Sequence, residues 1–162
     1  MQHIPLSEPH VGELEIELVM EALRQNWVGP VGPMLERFEA DFCALTGFPH
    51  CVAVSSGSAA MHLAMLECGV GPGDEVLATT LTFIASVAPA VHLGAKPVFI
   101  DIDAETWNMD PQLTADELHA AAQRGKLPKA VIPTDLYGQC ADLETLRQIC
   151  APYGVPVVAD CA

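Results

Sequence analysis

The sequence predicts an α/β fold: three layers, helix–sheet–helix, around a mostly parallel sheet. Two observations carry that expectation. From Cys51 onward, short apolar runs alternate with helical stretches of about three turns. Each helical stretch is followed by a glycine (Gly69, Gly94, Gly125, Gly154), placed where a left-handed residue closes a helix. Strands that alternate with helices are joined by right-handed crossovers, which make neighbouring strands parallel. The length agrees, because 162 residues are about one domain and bury roughly 70% of their unfolded surface.

The opening of the chain is helical. Leu14, Leu18 and residues 20–23 fall near helical spacing, and Leu35, Phe38, Phe42 and Leu45 follow it more closely. Between them, residues 26–33 form a loop rich in Gly and Pro that carries Trp27, and Gly47 stops the second helix. Strands are expected at 51–55, 75–80, 97–102, 130–134 and 155–159. Helices are expected at 58–68, 82–93, 114–124 and 142–153. Thr114 and Glu117 have capping-box spacing, with Leu113 placed to staple onto Leu118.

Composition removes several function classes. The net charge of −14 argues against nucleic acid and against anionic membrane surfaces, both of which reward Lys and Arg. Half the chain is apolar and 17% is charged, so either the sheet is buried on both faces or surface is reserved for a partner. The six cysteines contain no Cys-x-x-Cys pair, and no His completes a zinc spacing; no metal site is expected, and buried, reduced thiols are. No signal-like segment is read at the opening of the sequence, and a cytoplasmic location is expected. Residues 76–95 run 20 long without a charge, the length of a membrane span, but clustered threonines and Pro89 favour a strand and a turn.

In parallel sheets, ligands gather at the carboxyl ends of the strands. That rule selects residues 55–58, 80–83, 101–103, 135–139 and Asp160. At Gly57-Ser58-Ala59, a strand-to-helix turn points backbone N–H groups outward, and the N–H groups of Ser58 and Ala59 with the Ser58 hydroxyl suit a phosphate. An ordinary serine N-cap is an equal reading of the same residues. No Walker lysine, Gly-x-Gly-x-x-Gly or Gly-x-Ser-x-Gly is present, which disfavours ATP, dinucleotides and the common hydrolase elbow. Asp160 ends an apolar strand; it either meets a protonated heterocycle nitrogen or caps a turn. Phe83 stacks on a flat ring or, the better reading in isolation, packs in the core. Asp101, Asp103 and Glu105 lack repeated ligand spacing and read as a solvated loop, and His62 and His92 as packing or surface histidines.

Several motifs occur together and in order: Ser56-Gly-Ser-Ala-Ala-Met-His-Leu-Ala64, Gly73-Asp-Glu-Val76, Thr82-Phe83, Gly94-Ala-Lys-Pro-Val-Phe-Ile-Asp101, Leu136-Tyr-Gly-Gln139 and Val157-Val-Ala-Asp160. With Trp27-Val-Gly-Pro30 and Phe38-Glu39, this pattern resembles the N-terminal part of the sugar aminotransferases of the DegT–StrS group. These are fold-type I pyridoxal-phosphate enzymes, and the resemblance runs over essentially the whole chain. It implies an aspartate aminotransferase-like large domain over residues 51–162, incomplete, with residues 1–50 as a helical segment and loop packing on it.

The resemblance also implies roles. The cofactor is pyridoxal 5'-phosphate, with its phosphate at Gly57, Ser58 and Ala59, its ring against Phe83 and its pyridine nitrogen kept protonated by Asp160. The reaction implied is transfer of an amino group, usually from glutamate, to an NDP-linked 4-keto-6-deoxy sugar for polysaccharide synthesis, in a homodimer. The sequence departs from the family at Ser58, where Thr is usual, at Asp135, where His is common, and at Ala159 and Cys161, where Glu and Ala are preferred. The family's Schiff-base lysine falls beyond Ala162, so no catalytic residue is expected within the chain, and the chain alone is expected to be inactive. A non-catalytic cofactor-binding or dimerisation fragment, and an unrelated α/β domain binding a phosphorylated metabolite, are the alternatives.

Overall fold

The computed structural model describes residues 8–162. The beginning of the chain, on which the expected lack of a signal segment partly rests, lies outside the described residues. The chain divides into two compact units, Met1–Ala53 and Val54–Ala162.

The first unit carries two helices, α1 (Glu13–Arg24) and α2 (Pro33–Thr46). Glu15 in the first turn of α1 accepts the Gly12 N–H at 2.6 Å, which closes the helix start. Gly47 ends α2 with φ 76°, as its position after the apolar pattern predicts. The loop between the helices depends on Gly32, since a Cβ there would sit 2.8 Å from the Trp27 ring at a φ of 140°. Neither helix contains a buried residue, although the apolar spacing correctly locates both. Leu14, Leu18, Met34, Phe38, Phe42 and Leu45 line a groove of about 370 Å³.

The second unit is built on a parallel three-stranded sheet in the order β2–β1–β3, with β1 at Glu75–Thr79, β2 at Lys96–Ile100 and β3 at Val131–Ile132. Single parallel bridges, Val131 to Val157 and Thr134 to Asp160, extend it by one further extended segment in place of the strand expected at 155–159. The residues of β1 alternate between two cores. Val76 and Ala78 pack with Met61 and Met65 of α3 (Gly57–Glu67) and Ala90 of α4 (Ala88–His92). Leu77 packs on the other side with Leu118 of α5 (Pro111–Gln123) and Leu146 of α6 (Leu143–Cys150). Period-two alternation therefore gives each face of the sheet its own layer of helices, the expected αβα arrangement.

Four expectations are corrected. Residues 51–55 form no strand; Val52 is exposed, and the Ala53 N–H goes to the Glu39 carboxylate at 2.9 Å instead of to a ladder. The helix expected at 82–93 is broken into a 3-10 turn at Ile84–Ser86 and the short α4, because Pro89 lacks an N–H and Val87 has left ideal helical φ. The cap of α5 is Asp110, not Thr114; Asp110 accepts the N–H groups of Gln112 and Leu113, while Thr114 is buried and donates its hydroxyl to the Asp110 carbonyl at 2.8 Å. The six cysteines are free, but only Cys150 is buried, and Cys140 and Cys161 are exposed. The positive-φ glycines, by contrast, fall where expected: Gly69, Gly94, Gly125 and Gly154 all have φ between 65° and 81°. Among the described residues, no helix is long and apolar enough to cross a membrane.

Candidate functional site

In the order β2–β1–β3, the chain leaves β1 toward one neighbour and returns to pair on its other side, so the direction of winding reverses between β1 and β3. Open α/β sheets bind ligands in the crevice outside the carboxyl ends of the strands at such a point. Thr82, after β1, and Thr134, after β3, face each other across it with their hydroxyl oxygens 3.0 Å apart. Asp160 lies beside Thr134 through the parallel bridge that extends the sheet.

Asp160 is half-buried and has no ion-pair partner among the described residues. Its Oδ2 accepts the Ser86 hydroxyl at 2.5 Å, and its Oδ1 accepts the Ala162 N–H at 3.3 Å. A carboxylate offers about four acceptor sites, so two donors leave capacity for another N–H. Asp160 thus closes an apolar segment with acceptor capacity to spare, which fits a ligand bringing a protonated nitrogen.

Helix α3 begins one residue earlier than expected. Ser56 is its N-cap, and the Ser56 Oγ accepts the Ala59 N–H at 3.2 Å. Of the pair expected to hold a phosphate, Ala59 therefore has an internal partner, whereas among the described residues the N–H of Ser58 has none, nor does that of Gly57 beside it. Both residues are exposed. Two free backbone donors, the Ser58 hydroxyl and the positive end of a helix dipole fit a phosphate. Core packing for Phe83 is overturned: its side chain is 76% exposed, and its backbone is extended just ahead of the 3-10 turn that packs on α3.

The remaining candidates divide. Asp135 donates its N–H to the Asp160 carbonyl at 2.8 Å and accepts the Ala141 N–H at 2.8 Å, so it braces the site. Burial of the sulfur and the nearby Asp135 and Asp160 carboxylates push the Cys161 thiol up to about 11. The acidic loop is structural: Asp103 accepts the backbone N–H groups of Glu105 and Thr106, and its bonds to Thr106 hold its carboxyl below the usual value. Among the described residues no group of His, Cys, Asp and Glu is arranged to hold a metal. Asn108 reaches the Leu136-to-Gln139 motif by donating Nδ2 to the Gln139 carbonyl at 3.1 Å, beside a cleft of about 240 Å³ that Trp107 and Tyr137 line.

Sequence reasoning missed Ser86 and the hydroxyls of Thr82 and Thr134. Thr82 and Ser86 stand four residues apart, and their oxygens lie 2.7 Å from each other. A small hydroxyl pair at that spacing, next to a strand end, is the signal that could have exposed them.

The three lysines of the chain, Lys96, Lys126 and Lys129, stand at the opposite edge of the sheet. Lys96 opens β2, while Lys126 Nζ lies 3.1 Å from the carboxylate of Glu75, the first residue of β1. Lys129 donates its backbone N–H to the Glu75 carbonyl.

Residues 9–162 match the sequence profile of the DegT/DnrJ/EryC1/StrS aminotransferase family. A Bacillus subtilis (strain 168) protein named putative pyridoxal phosphate-dependent aminotransferase EpsN is 42% identical over 98% of this chain, which spans 41% of that relative. A putative sugar aminotransferase, Spr1654 from Streptococcus pneumoniae, solved in its PMP form, superposes with a TM-score of 0.84 at 31% identity. That match covers 99% of this chain and 42% of the other. The aminotransferase TlmJ from Streptoalloteichus hindustanus also gives 0.84, at 34% identity over 98% of this chain and 42% of its own. The chain spans about two-fifths of the length of these proteins.

Proposed function

The chain belongs to the DegT/DnrJ/EryC1/StrS aminotransferase family, and on that premise we propose that it forms the cofactor-binding part of a sugar aminotransferase. The family's cofactor is pyridoxal 5'-phosphate. The reaction is the transfer of an amino group, from glutamate, to the keto carbon of an NDP-linked 4-keto-6-deoxy sugar, in a protein that works as a homodimer.

The observation that carries this reading is Asp160: a half-buried carboxylate at the reversal point of the sheet, held by one hydroxyl and one backbone N–H. When bound, the cofactor supplies an electron sink whose strength depends on a protonated ring nitrogen. Asp160 holds that proton at the nitrogen, since a carboxylate at hydrogen-bond distance favours the charged ring. Gly57, Ser58 and Ala59 would hold the phosphate, the first two through backbone N–H groups that have no partner among the described residues. Phe83 covers one face of the ring and keeps water from it.

The amine that holds the cofactor covalently is none of Lys96, Lys126 and Lys129, which stand at the wrong edge of the sheet. The same placement favours a second reading, in which these 162 residues bind the cofactor without chemistry of their own.

Equilibrium titration of the chain with pyridoxal 5'-phosphate, followed by absorbance, tests the proposal. Saturable binding weakened at least tenfold by Asp160→Asn and by Ser58→Asp is expected. Peptide mapping after borohydride treatment should find no lysine adduct that depends on Asp160. Binding indifferent to both substitutions, or an Asp160-dependent adduct on one of the three lysines, would overturn it.

A further inference from the structure

Three hydroxyls run in a line to Asp160. Thr134 Oγ1 lies 3.0 Å from Thr82 Oγ1, Thr82 Oγ1 lies 2.7 Å from Ser86 Oγ, and Ser86 Oγ lies 2.5 Å from Asp160 Oδ2. Ser86 and Thr134 are buried, at 1% and 6% exposure, so water does not complete their bonding.

The order of the protons follows from counting. A hydroxyl has one hydrogen to give, and an ionised carboxylate only accepts. Ser86 therefore spends its hydrogen on Asp160 and accepts from Thr82. Thr82, its hydrogen committed, accepts from Thr134. Every hydrogen in the line then has an acceptor. Protonation of Asp160 at Oδ2 reverses the order: the acid donates to Ser86, Ser86 to Thr82, and Thr82 to Thr134 or to the Phe83 carbonyl at 3.4 Å. With two lone pairs, Thr82 can then accept from both Ser86 and Thr134 only by turning its own hydrogen to the Phe83 carbonyl, which exchanges a bond of 2.7 Å for one of 3.4 Å.

We propose that Thr134, Thr82 and Ser86 are positioning residues, a donor relay that ends on Asp160 Oδ2 and holds it oriented as an acceptor before any ligand arrives. The inference rests on Asp160 as the partner of the cofactor nitrogen for its purpose, but not for its geometry. Each donor in the line polarises the next, so the effect of Thr82 and Thr134 reaches the carboxylate through Ser86. The other titratable groups beside Asp160 are Asp135 and the Cys161 thiol. Neither is cationic, so no ion pair among the described residues does the work assigned to the hydroxyls.

The test is the titration of the Asp160 carboxyl in the cofactor-free chain, read by carbon NMR of aspartate-labelled protein and assigned by Asp160→Asn. Ser86→Ala is expected to raise the midpoint by about one pH unit, a tenfold gain in proton affinity, as loss of a hydrogen bond to a charged group predicts. Thr82→Val, nearly isosteric but without the hydroxyl, should raise it by a smaller step, and Ser86→Thr should restore the native value. Far-ultraviolet circular dichroism and thermal unfolding check the fold of each variant. If Ser86→Ala does not fold, Thr82→Val and Ser86→Thr decide. A midpoint unmoved in folded Ser86→Ala or Thr82→Val overturns the relay. A shifted midpoint in a chain that binds no pyridoxal 5'-phosphate leaves the relay standing and removes the proposed function instead.

Discussion

Cys161 sits beside the central carboxylate and reports on it. Its thiol is raised to about 11 by burial of the sulfur first and then by the negative charges of Asp135 and Asp160. Alkylation of Cys161 should therefore rise only above pH 10, slower at pH 8 than its exposed position suggests. Asp160→Asn removes one of those charges, so the midpoint of alkylation should fall, and mass spectrometry of the labelled peptide measures it. An unchanged midpoint would mean that Asp160 carries no charge felt at the thiol. Phe83 and Asp160 illustrate what single residues disclose. The sequence leaves each with two readings: the exposed ring removes core packing for Phe83, whereas Asp160 does cap the turn at the Ala162 N–H through Oδ1 and offers Oδ2 to the Ser86 hydroxyl.

At the scale of elements, the caps and breaks are where local rules compete. Asp110, at the start of α5, takes two backbone N–H groups that have no partner inside the helix. Asp110→Ala should cost about 1 kcal/mol of stability, measured by denaturant unfolding. Thr114→Ser, which keeps the hydroxyl bonded to the Asp110 carbonyl, should leave the helix start intact. Glycine closures were legible because a left-handed residue is a local requirement, met at Gly69, Gly94, Gly125 and Gly154 alike. The strands at 75–79 and 96–100 were legible because both are apolar runs that pair with each other. The strand expected at 51–55 was not, because pairing depends on a partner and the Glu39 carboxylate takes the Ala53 N–H. The helix expected at 82–93 was masked in the same way: its apolar pattern continues through Pro89, while the backbone does not. The relay was half legible: Thr82 and Ser86 stand four residues apart, whereas Thr134 lies 52 residues from Thr82 and joins it only through the folding of the sheet.

Over the whole chain, the division of labour is plain within each unit. In Val54–Ala162, two apolar cores on opposite faces of the sheet hold the strands in register, and Thr82, Ser86, Thr134 and Asp160 meet at their carboxyl ends. In Met1–Ala53, α1 and α2 carry an apolar pattern with no buried residue, and Leu14, Phe38 and Phe42 line a groove. The lysines at the far edge separate the holding of a cofactor from its covalent capture. The central claim, that Asp160 meets the ring nitrogen of pyridoxal 5'-phosphate, is tested most directly by nitrogen NMR of the isotope-labelled cofactor bound to the chain. The measurement belongs at a pH where the free ring nitrogen has lost its proton. The account predicts a protonated nitrogen with the native chain and a neutral one with Asp160→Asn. A nitrogen that is neutral in both, or protonated in both, would contradict it.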